Sequence, residues 1–163
     1  MKTFERVMKR YLVANLEVNQ KFNNAQHGFR QGRSCLTQLI QHYDDLLNKM
    51  EDGSNVDVVY LDFSKAFDKV DHAILLKKLK AIGITGKAGK WILDFLSERY
   101  QQVIVNNQKS SKSKVVSGVP QGSVLGPLLF LVMINDINQD IESSISLLPM
   151  IPESVGAYFL KNM

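Results

Sequence analysis

A short run of β-branched and apolar residues, positions 56–61, ends directly in a carboxylate, Asp62. The run predicts a mostly buried strand, which restricts the chain to folds that cover that strand. A carboxylate at its end is costly unless it faces a cleft or binds a cation. The alternative is a purely structural role, in which Asp62 caps the helix that follows. A phosphatase-type aspartyl nucleophile would need a second acid two residues on, where Ser64 stands instead, so that function is disfavoured.

Apolar residues at helical spacing predict helices on both sides of this strand. The residues suited to N-cap four of them are Ser34, Asp71, Thr85 and Ser123. The helix after Ser34 carries one apolar face, made of Leu36, Leu39, Ile40, Tyr43, Leu46, Leu47 and Met50. Residues 101–105 and 113–116 predict two strands joined by a lysine-rich loop. Helices and strands without βαβ alternation indicate an α+β fold.

Charge and composition narrow the class of protein. Residues 1–33 carry seven Lys/Arg and two acids, residues 34–76 three and eight, and residues 77–114 nine and two. Basic blocks on both sides of an acidic one suit a polyanion beside a cation site, although solvated surface charge explains them as well. The single cysteine, Cys35, excludes an internal disulfide. No secretory signal is visible, and the longest apolar stretch is shorter than the roughly 20 residues of a membrane span.

The second chemical signal is a glycine-proline loop at residues 117–123, which reads Ser-Gly-Val-Pro-Gln-Gly-Ser. Its glycines let backbone approach a ligand closely. Gln121 offers both a donor and an acceptor, and a predicted helix N-terminus follows. No Gly-Lys-Ser/Thr is present, so the loop is not a P-loop. On this segment alone, a tight turn before a core helix is an equally good interpretation.

Four blocks of the sequence follow one another in a distinctive order and spacing. They are residues 26–34, residues 59–71, residues 118–129 and the trailing Ile134-Asn135-Asp136-Ile137. Together they resemble the reverse transcriptases of LINE-type, jockey-like non-LTR retrotransposons, over about Phe4 to Ile141. The resemblance implies a truncated right-hand polymerase, with part of its fingers and palm, and without the catalytic hairpin and the thumb.

The resemblance also implies roles for residues of the palm. Asp62 matches the first of three aspartates that hold two Mg²⁺ ions for nucleotidyl transfer. Phe67 matches the aromatic gate that rejects a ribose 2′-hydroxyl. Gln121, in a loop shaped by Pro120 and Gly122, matches the glutamine near the sugar and base of the incoming nucleotide.

Arg30 and Arg33 match basic fingers positions that approach the triphosphate or the template, and Lys65 is expected near the phosphates. The partners implied for the intact enzyme are an RNA template, a DNA primer and a deoxynucleoside triphosphate. Its implied cofactor is two Mg²⁺ ions, which this chain would bind weakly or not at all. An intracellular location, cytoplasmic or nuclear, and no membrane contact are expected.

The chain departs from the family where a Phe/Tyr-Ala-Asp-Asp hairpin should complete the metal site. It has no adjacent acid pair after Asp62. Residues 148–153 can be encoded TTG CCG ATG ATA CCA GAG. One T added in front gives TTT GCC GAT GAT ACC AGA, which reads Phe-Ala-Asp-Asp-Thr-Arg. The hypothesis is therefore a frameshift from about Leu148, with out-of-frame sequence after it.

The organisation expected from these patterns has three parts. Residues 1–55 form a fingers-like helical segment, residues 56–141 a partial palm with a fingers-side strand pair near 101–116, and residues 142–163 an aberrant tail. The expected function is that of a reverse-transcriptase fragment, inactive because the second and third metal-binding aspartates are missing. Two alternatives stay open, a non-catalytic nucleic-acid-binding remnant and a non-functional pseudogene product.

Overall fold

A computed structural model of the chain describes residues 2–23, 26–27, 30, 32–53, 55–151 and 154–162. The elements are α1 (Lys2–Val18), α2 (Cys35–Glu51), β1 (Val56–Ser64), α3 (His72–Ala81), α4 (Gly86–Leu96), β2 (Tyr100–Gln101), β3 (Ile104–Val105), β4 (Gln108–Lys109), β5 (Ser113–Lys114), α5 (Gly126–Ile134), β6 (Ser144–Ile151) and β7 (Ser154–Asn162). This mixture of helices and small sheets confirms the α+β class. Gly28, Phe29 and Gln31 of the first sequence block lie outside the described residues.

The chain divides into two compact units, each made of two separate stretches. The first unit comprises Met1–Asn19 and Phe67–Met133, and the second comprises Gln20–Ala66 and Ile134–Met163. The three-part organisation expected from the sequence stays a prediction.

The first unit is helical and contains most of the apolar core. Its fully buried side chains include Leu12, Leu75, Leu79, Ile92, Leu96, Leu125, Leu129 and Leu131. Asp71 caps α3 as expected, because its carboxylate accepts a hydrogen bond from Ile74 N at 2.9 Å. Thr85 occupies the N-cap of α4 without a side-chain hydrogen bond. α5 begins at Gly126, three residues after the predicted cap Ser123, and ends at Ile134.

The strand pair predicted in this unit is confirmed in outline. β2 pairs with β5, and β3 pairs with β4, all antiparallel. The chain reverses at Asn106 and Asn107, whose φ angles of 50° and 61° suit the two-residue turns favoured in hairpins. The expected lysine-rich loop therefore contributes one strand of the second pair, β4, which includes Lys109.

The second unit contains a three-stranded antiparallel sheet in the order β1–β7–β6. The prediction that residues 56–61 form a mostly buried strand is correct about the strand and wrong about its burial. Most of β1 is exposed, and Tyr60 is 68% accessible. The prediction assumed cover on both faces of the strand. In this unit β1 is an edge strand, with α2 lying against β1 and β6.

The apolar face predicted for α2 is also exposed. Leu36, for example, is 65% accessible, whereas Gln38 and His42 of the same helix are buried. His42 faces the sheet, where its Nε2 lies 3.2 Å from the hydroxyl of Tyr60. The N-cap is as expected, since Ser34 and Thr37 form a reciprocal capping box.

In the tail, residues 144–151 and 154–162 pair through their backbone groups. β6 and β7 form a hairpin, and its connecting residues, Pro152 and Glu153, lie outside the described residues. A hairpin of strands is thus present where the sequence suggested that one was lacking, but it carries no adjacent acid pair. None of the helices described has the length and apolarity needed to cross a membrane.

Candidate functional site

Two backbone hydrogen bonds join the glycine-proline loop, residues 117–122, to the turn that follows β1. Gly118 N donates to Val70 O at 2.8 Å, and Val119 N donates to Phe67 O at 2.9 Å. Both segments belong to the first unit. The loop is therefore held by main-chain contacts that fix its position relative to Phe67.

Gly118 is at the centre of this contact. Its φ is +82°, and a Cβ there would lie 2.8 Å from both the Cα and the carbonyl oxygen of Asp68. Its own carbonyl oxygen lies 2.7 Å from Arg99 Nη2 and 2.8 Å from His72 Nε2. Because a carbonyl only accepts, His72 carries its proton on Nε2. Burial lowers the pKa of Arg99, which stays charged at neutral pH.

Gln121 is exposed, and the nitrogen of its side-chain amide makes a hydrogen bond to a neighbouring residue. Its Nε2 donates to Asp68 Oδ1 at 3.1 Å. Gly122 follows with a φ of +71°, a conformation that side chains other than glycine rarely adopt. Ser123 then donates from its hydroxyl to Pro120 O at 2.6 Å and accepts from the first backbone amide of α5 at 2.9 Å.

Phe67 is held by a second aromatic ring. It is 8% exposed, and it stacks on Phe130 of α5 with a centroid separation of 4.6 Å and an interplanar angle of 24°. Stacked pairs of this kind restrict ring orientation as well as adding buried area. The structure thus joins Phe67, Gln121 and Gly122 through one set of contacts.

A buried glutamate from α1 supports the start of α5. Glu5 is 1% exposed, and its Oε2 accepts from Val124 N at 2.8 Å and from Leu125 N at 3.3 Å. A carboxylate here satisfies backbone amides that the helix itself leaves unpaired, and it complements the positive end of the helix dipole.

The other predicted site residues belong to the second unit. Asp62 lies near the carboxyl end of β1, opposite Gly156 of β7, and its side chain is exposed. Within the described residues its carboxylate has no hydrogen-bond partner. It does not cap α3, because Asp71 does. Lys65 follows β1 in the turn, exposed, with a φ of +54°.

The two arginines contact their own segment. Arg30 Nη1 donates to Asn23 O at 3.2 Å, and its guanidinium lies 4.8 Å from the centroid of the Phe22 ring. Arg33 Nη1 donates to Gln26 O at 3.5 Å. Burial lowers the pKa of His27, and the charges of Arg33 and Arg30 lower it further.

The donor set does not fit a two-metal centre. Across the described residues, no group of three or more His, Cys, Asp or Glu side chains could hold a metal ion. Mg²⁺ prefers octahedral oxygen coordination, and each protein carboxylate counts toward it. The single carboxylate of Asp62 supplies too few ligands to hold two metal ions.

The sequence matches the family described as reverse transcriptase (RNA-dependent DNA polymerase) over residues 1–158. This chain belongs to the reverse transcriptase family. It is 35% identical over 136 residues to the RNA-directed DNA polymerase from mobile element jockey of Drosophila melanogaster. In the same organism, it is 33% identical over 136 residues to a probable RNA-directed DNA polymerase from transposon BS.

These two alignments each cover 83% of this reverse transcriptase chain and 15% of the relative. A third relative, a probable RNA-directed DNA polymerase from the Drosophila melanogaster transposon X-element, is 32% identical over 85% of the chain and 15% of its own length. The chain therefore spans about 15% of the length of these curated relatives. Mg²⁺ is the cation that reverse transcriptases use as a family.

Sequence reasoning missed four residues that support the site, namely Glu5, Asp68, His72 and Arg99. Asp68 follows Phe67 directly in the second block, residues 59–71, and this position could have marked it as a neighbour of the site. No motif of the sequence links His72 to the glycine-proline loop. Nothing in the sequence pairs Glu5 with a helix more than a hundred residues away.

Proposed function

We propose that this chain carries the nucleotide-facing part of a reverse transcriptase active site and lacks a complete metal centre. The reaction it derives from is RNA-templated DNA synthesis, with an RNA template, a DNA primer and a deoxynucleoside triphosphate as partners. One observation carries the proposal, the hydrogen-bonded contact between the loop of Gln121 and the turn of Phe67.

Contacts of Phe67 and Gln121 support their proposed roles. Phe67 is held rigidly by Phe130, as a ring that excludes a 2′-hydroxyl by contact must be. Gln121 is exposed on a fixed loop, where an incoming nucleotide could reach it. Arg30 and Arg33 would contribute positive charge toward phosphates, which dominate affinity for nucleic acids.

The missing acid pair is the reason for proposing inactivity. In the sheet of the second unit, Ser154 is the register partner of both Ser64 and Ile151. Positions 150 and 151 therefore lie at the same end of the sheet as Asp62. A one-nucleotide shift would encode aspartates at these two positions.

Divalent-cation binding tests this proposal. The chain is compared with a quadruple variant, Leu148→Phe, Pro149→Ala, Met150→Asp and Ile151→Asp, by Mn²⁺ titration followed by electron paramagnetic resonance. We expect the variant to bind Mn²⁺ about tenfold more tightly or better, since added carboxylates raise cation affinity. Adding Asp62→Ala should remove the gain, and adding Asp57→Ala should not.

Asp57 is the matched control because it is also an exposed aspartate of β1, nearer the other end of the strand. No gain in the quadruple variant, or a gain that survives Asp62→Ala, would contradict the proposed metal centre.

A second candidate is the non-catalytic nucleic-acid-binding remnant. It is favoured by the exposed lysines of the β2–β5 hairpin, Lys109, Lys112 and Lys114. Primer extension on an RNA template separates the two functions. Incorporation that Asp62→Ala abolishes would show catalysis, whereas salt-sensitive RNA binding that Asp62→Ala leaves unchanged would favour the remnant. Neither activity is expected of a pseudogene product.

A further inference from the structure

An open groove lies between α3 and α4, in the first unit, with a volume of about 320 Å³. We call it the α3–α4 groove. Among the residues that line it, Leu79 and Ile84 are buried, whereas Leu93 is 40% exposed and can be reached by a partner. Ligand pockets range from roughly 300 to 1,000 Å³, so a groove of this size accommodates a few apolar side chains.

The rim of the α3–α4 groove is positively charged. Lys80 and Lys90 line it, and the segment 76–93 contains five lysines and no acid. Both rim lysines are exposed, and neither has an ion pair or a hydrogen bond among the described residues. An apolar groove with cations at its rim fits a ligand that carries both apolar groups and carboxylates. A nucleic acid backbone would use the lysines and leave the apolar surface uncovered.

The helix α2, in the second unit, has the complementary character. Its exposed apolar side chains follow one stripe, at the i, i+4, i+7, i+11 and i+14 positions Leu36, Ile40, Tyr43, Leu47 and Met50. This is the spacing of a helix that docks by one face in a groove. Asp44 and Glu51 stand four residues after Ile40 and Leu47, so both lie at one edge of the stripe. They are exposed, and in the described part of the chain their carboxylates have no partner.

We propose that α2 of one copy of this chain docks in the α3–α4 groove of a second copy. Apolar side chains of α2 enter the groove, and the two acids at the edge of the stripe face the two lysines of the rim. Because the helix and the groove are different surfaces, the contact is heterologous, and one copy can contribute its helix to one neighbour and its groove to another. Neither surface includes a residue of the proposed nucleotide site, so the proposal does not depend on that site.

Sedimentation velocity of the full chain tests this association at concentrations on the order of 10–200 μM. We expect the average mass to rise with concentration, and the association to weaken as salt is added, because charge pairs at the rim are screened. The groove variant, Lys80→Glu with Lys90→Glu, should raise the dissociation constant about tenfold or more, and so should the helix variant, Asp44→Lys with Glu51→Lys. The control is Arg10→Glu, which reverses an exposed charge of α1 outside the groove and should leave the constant unchanged.

A mixture of the two variants tests which surfaces meet. Each variant alone brings like charges together, whereas in the equimolar mixture every contact between unlike chains is again complementary. The mixture should therefore regain the association that each variant lost, which also shows that both variants fold.

A mixture that stays monomeric would overturn the proposal, as would an unmodified chain that is monomeric at all concentrations. Equal association of the unmodified chain and both variants would indicate non-specific aggregation and would contradict it as well. If the chain is monomeric but an acidic amphipathic peptide of unrelated sequence shifts the NMR resonances of Leu93, the groove belongs to a different protein partner, and the second copy is excluded.

Discussion

The loop of Gln121 depends on a buried carboxylate from the other end of the chain. Glu5 accepts hydrogen bonds from Val124 N at 2.8 Å and Leu125 N at 3.3 Å, directly before α5. Ser123 Oγ accepts from Gly126 N at 2.9 Å, so a different group must satisfy the amides of Val124 and Leu125. Removing the carboxylate therefore leaves two amides without this partner, one part-buried and one buried.

The size of the effect follows from these two bonds. A hydrogen bond to a charged group contributes about 1.5–3 kcal/mol, and the longer bond about 0.5–1 kcal/mol. We expect Glu5→Ala to lower the free energy of unfolding by about 2–4 kcal/mol and Glu5→Gln by about 1–2 kcal/mol, because glutamine keeps one acceptor. For a chain of this size the larger loss lowers Tm by roughly 5–15 °C.

Urea unfolding followed by circular dichroism measures this loss, with Glu98→Gln as the control. Glu98 is an exposed glutamate of the same unit, so its substitution should change stability little. Hydrogen exchange at the amides of Val124 and Leu125 reports the same contact locally and should accelerate in Glu5→Ala. A Glu5→Ala chain within about 0.5 kcal/mol of the control, the usual scatter of surface substitutions, would refute the reasoning.

Three further predictions concern packing and protonation. Gly118→Ala should destabilise the first unit by about 1–3 kcal/mol in urea unfolding, because φ is +82° and the new Cβ would meet the backbone of Asp68. Phe130→Leu should lower stability by about 1 kcal/mol in thermal unfolding, since the stack on Phe67 is lost. Burial lowers the pKa of His42, more than the charge of Asp45 raises it, so the unfolded state binds more protons just below pH 6.5. Stability should therefore decline as pH falls from about 6.5, and His42→Gln should flatten that decline.

Each of these has a contrary outcome. An alanine tolerated at position 118 would mean that the loop does not lie against the turn after β1. A Phe130→Leu chain as stable as the original would mean that the two rings do not stack. A pH dependence that His42→Gln leaves unaltered would remove His42 as its source.

The sequence was informative wherever a local rule decides structure. Asp71 and Ser34 are caps because their side chains reach backbone amides three residues on. The composition of the Gln121 loop predicts an unusual backbone, because glycine readily adopts positive φ and proline fixes its own φ, and the structure shows positive φ at Gly118 and Gly122.

Burial was harder to predict, because hydrophobic periodicity shows which face is apolar but not what covers it. The apolar face of α2 is exposed, while His42 on another side of the helix contacts the sheet. The role of Glu5 was equally hidden, since an acid at a helical position of α1 looks like solvated surface. Its partners lie far along the chain, and only the folded structure brings them together.

The most direct test of this account is nucleotide sequencing of the locus and its transcript across the codons for Ile145 to Ser154. The account predicts that a neighbouring reading frame encodes Phe-Ala-Asp-Asp, one nucleotide from the frame of this chain. That result would assign the second and third aspartates to positions 150 and 151, at the end of the sheet where Asp62 lies. If no shifted frame encodes an acid pair there, the frameshift hypothesis is wrong, and the absence of the metal ligands needs another explanation.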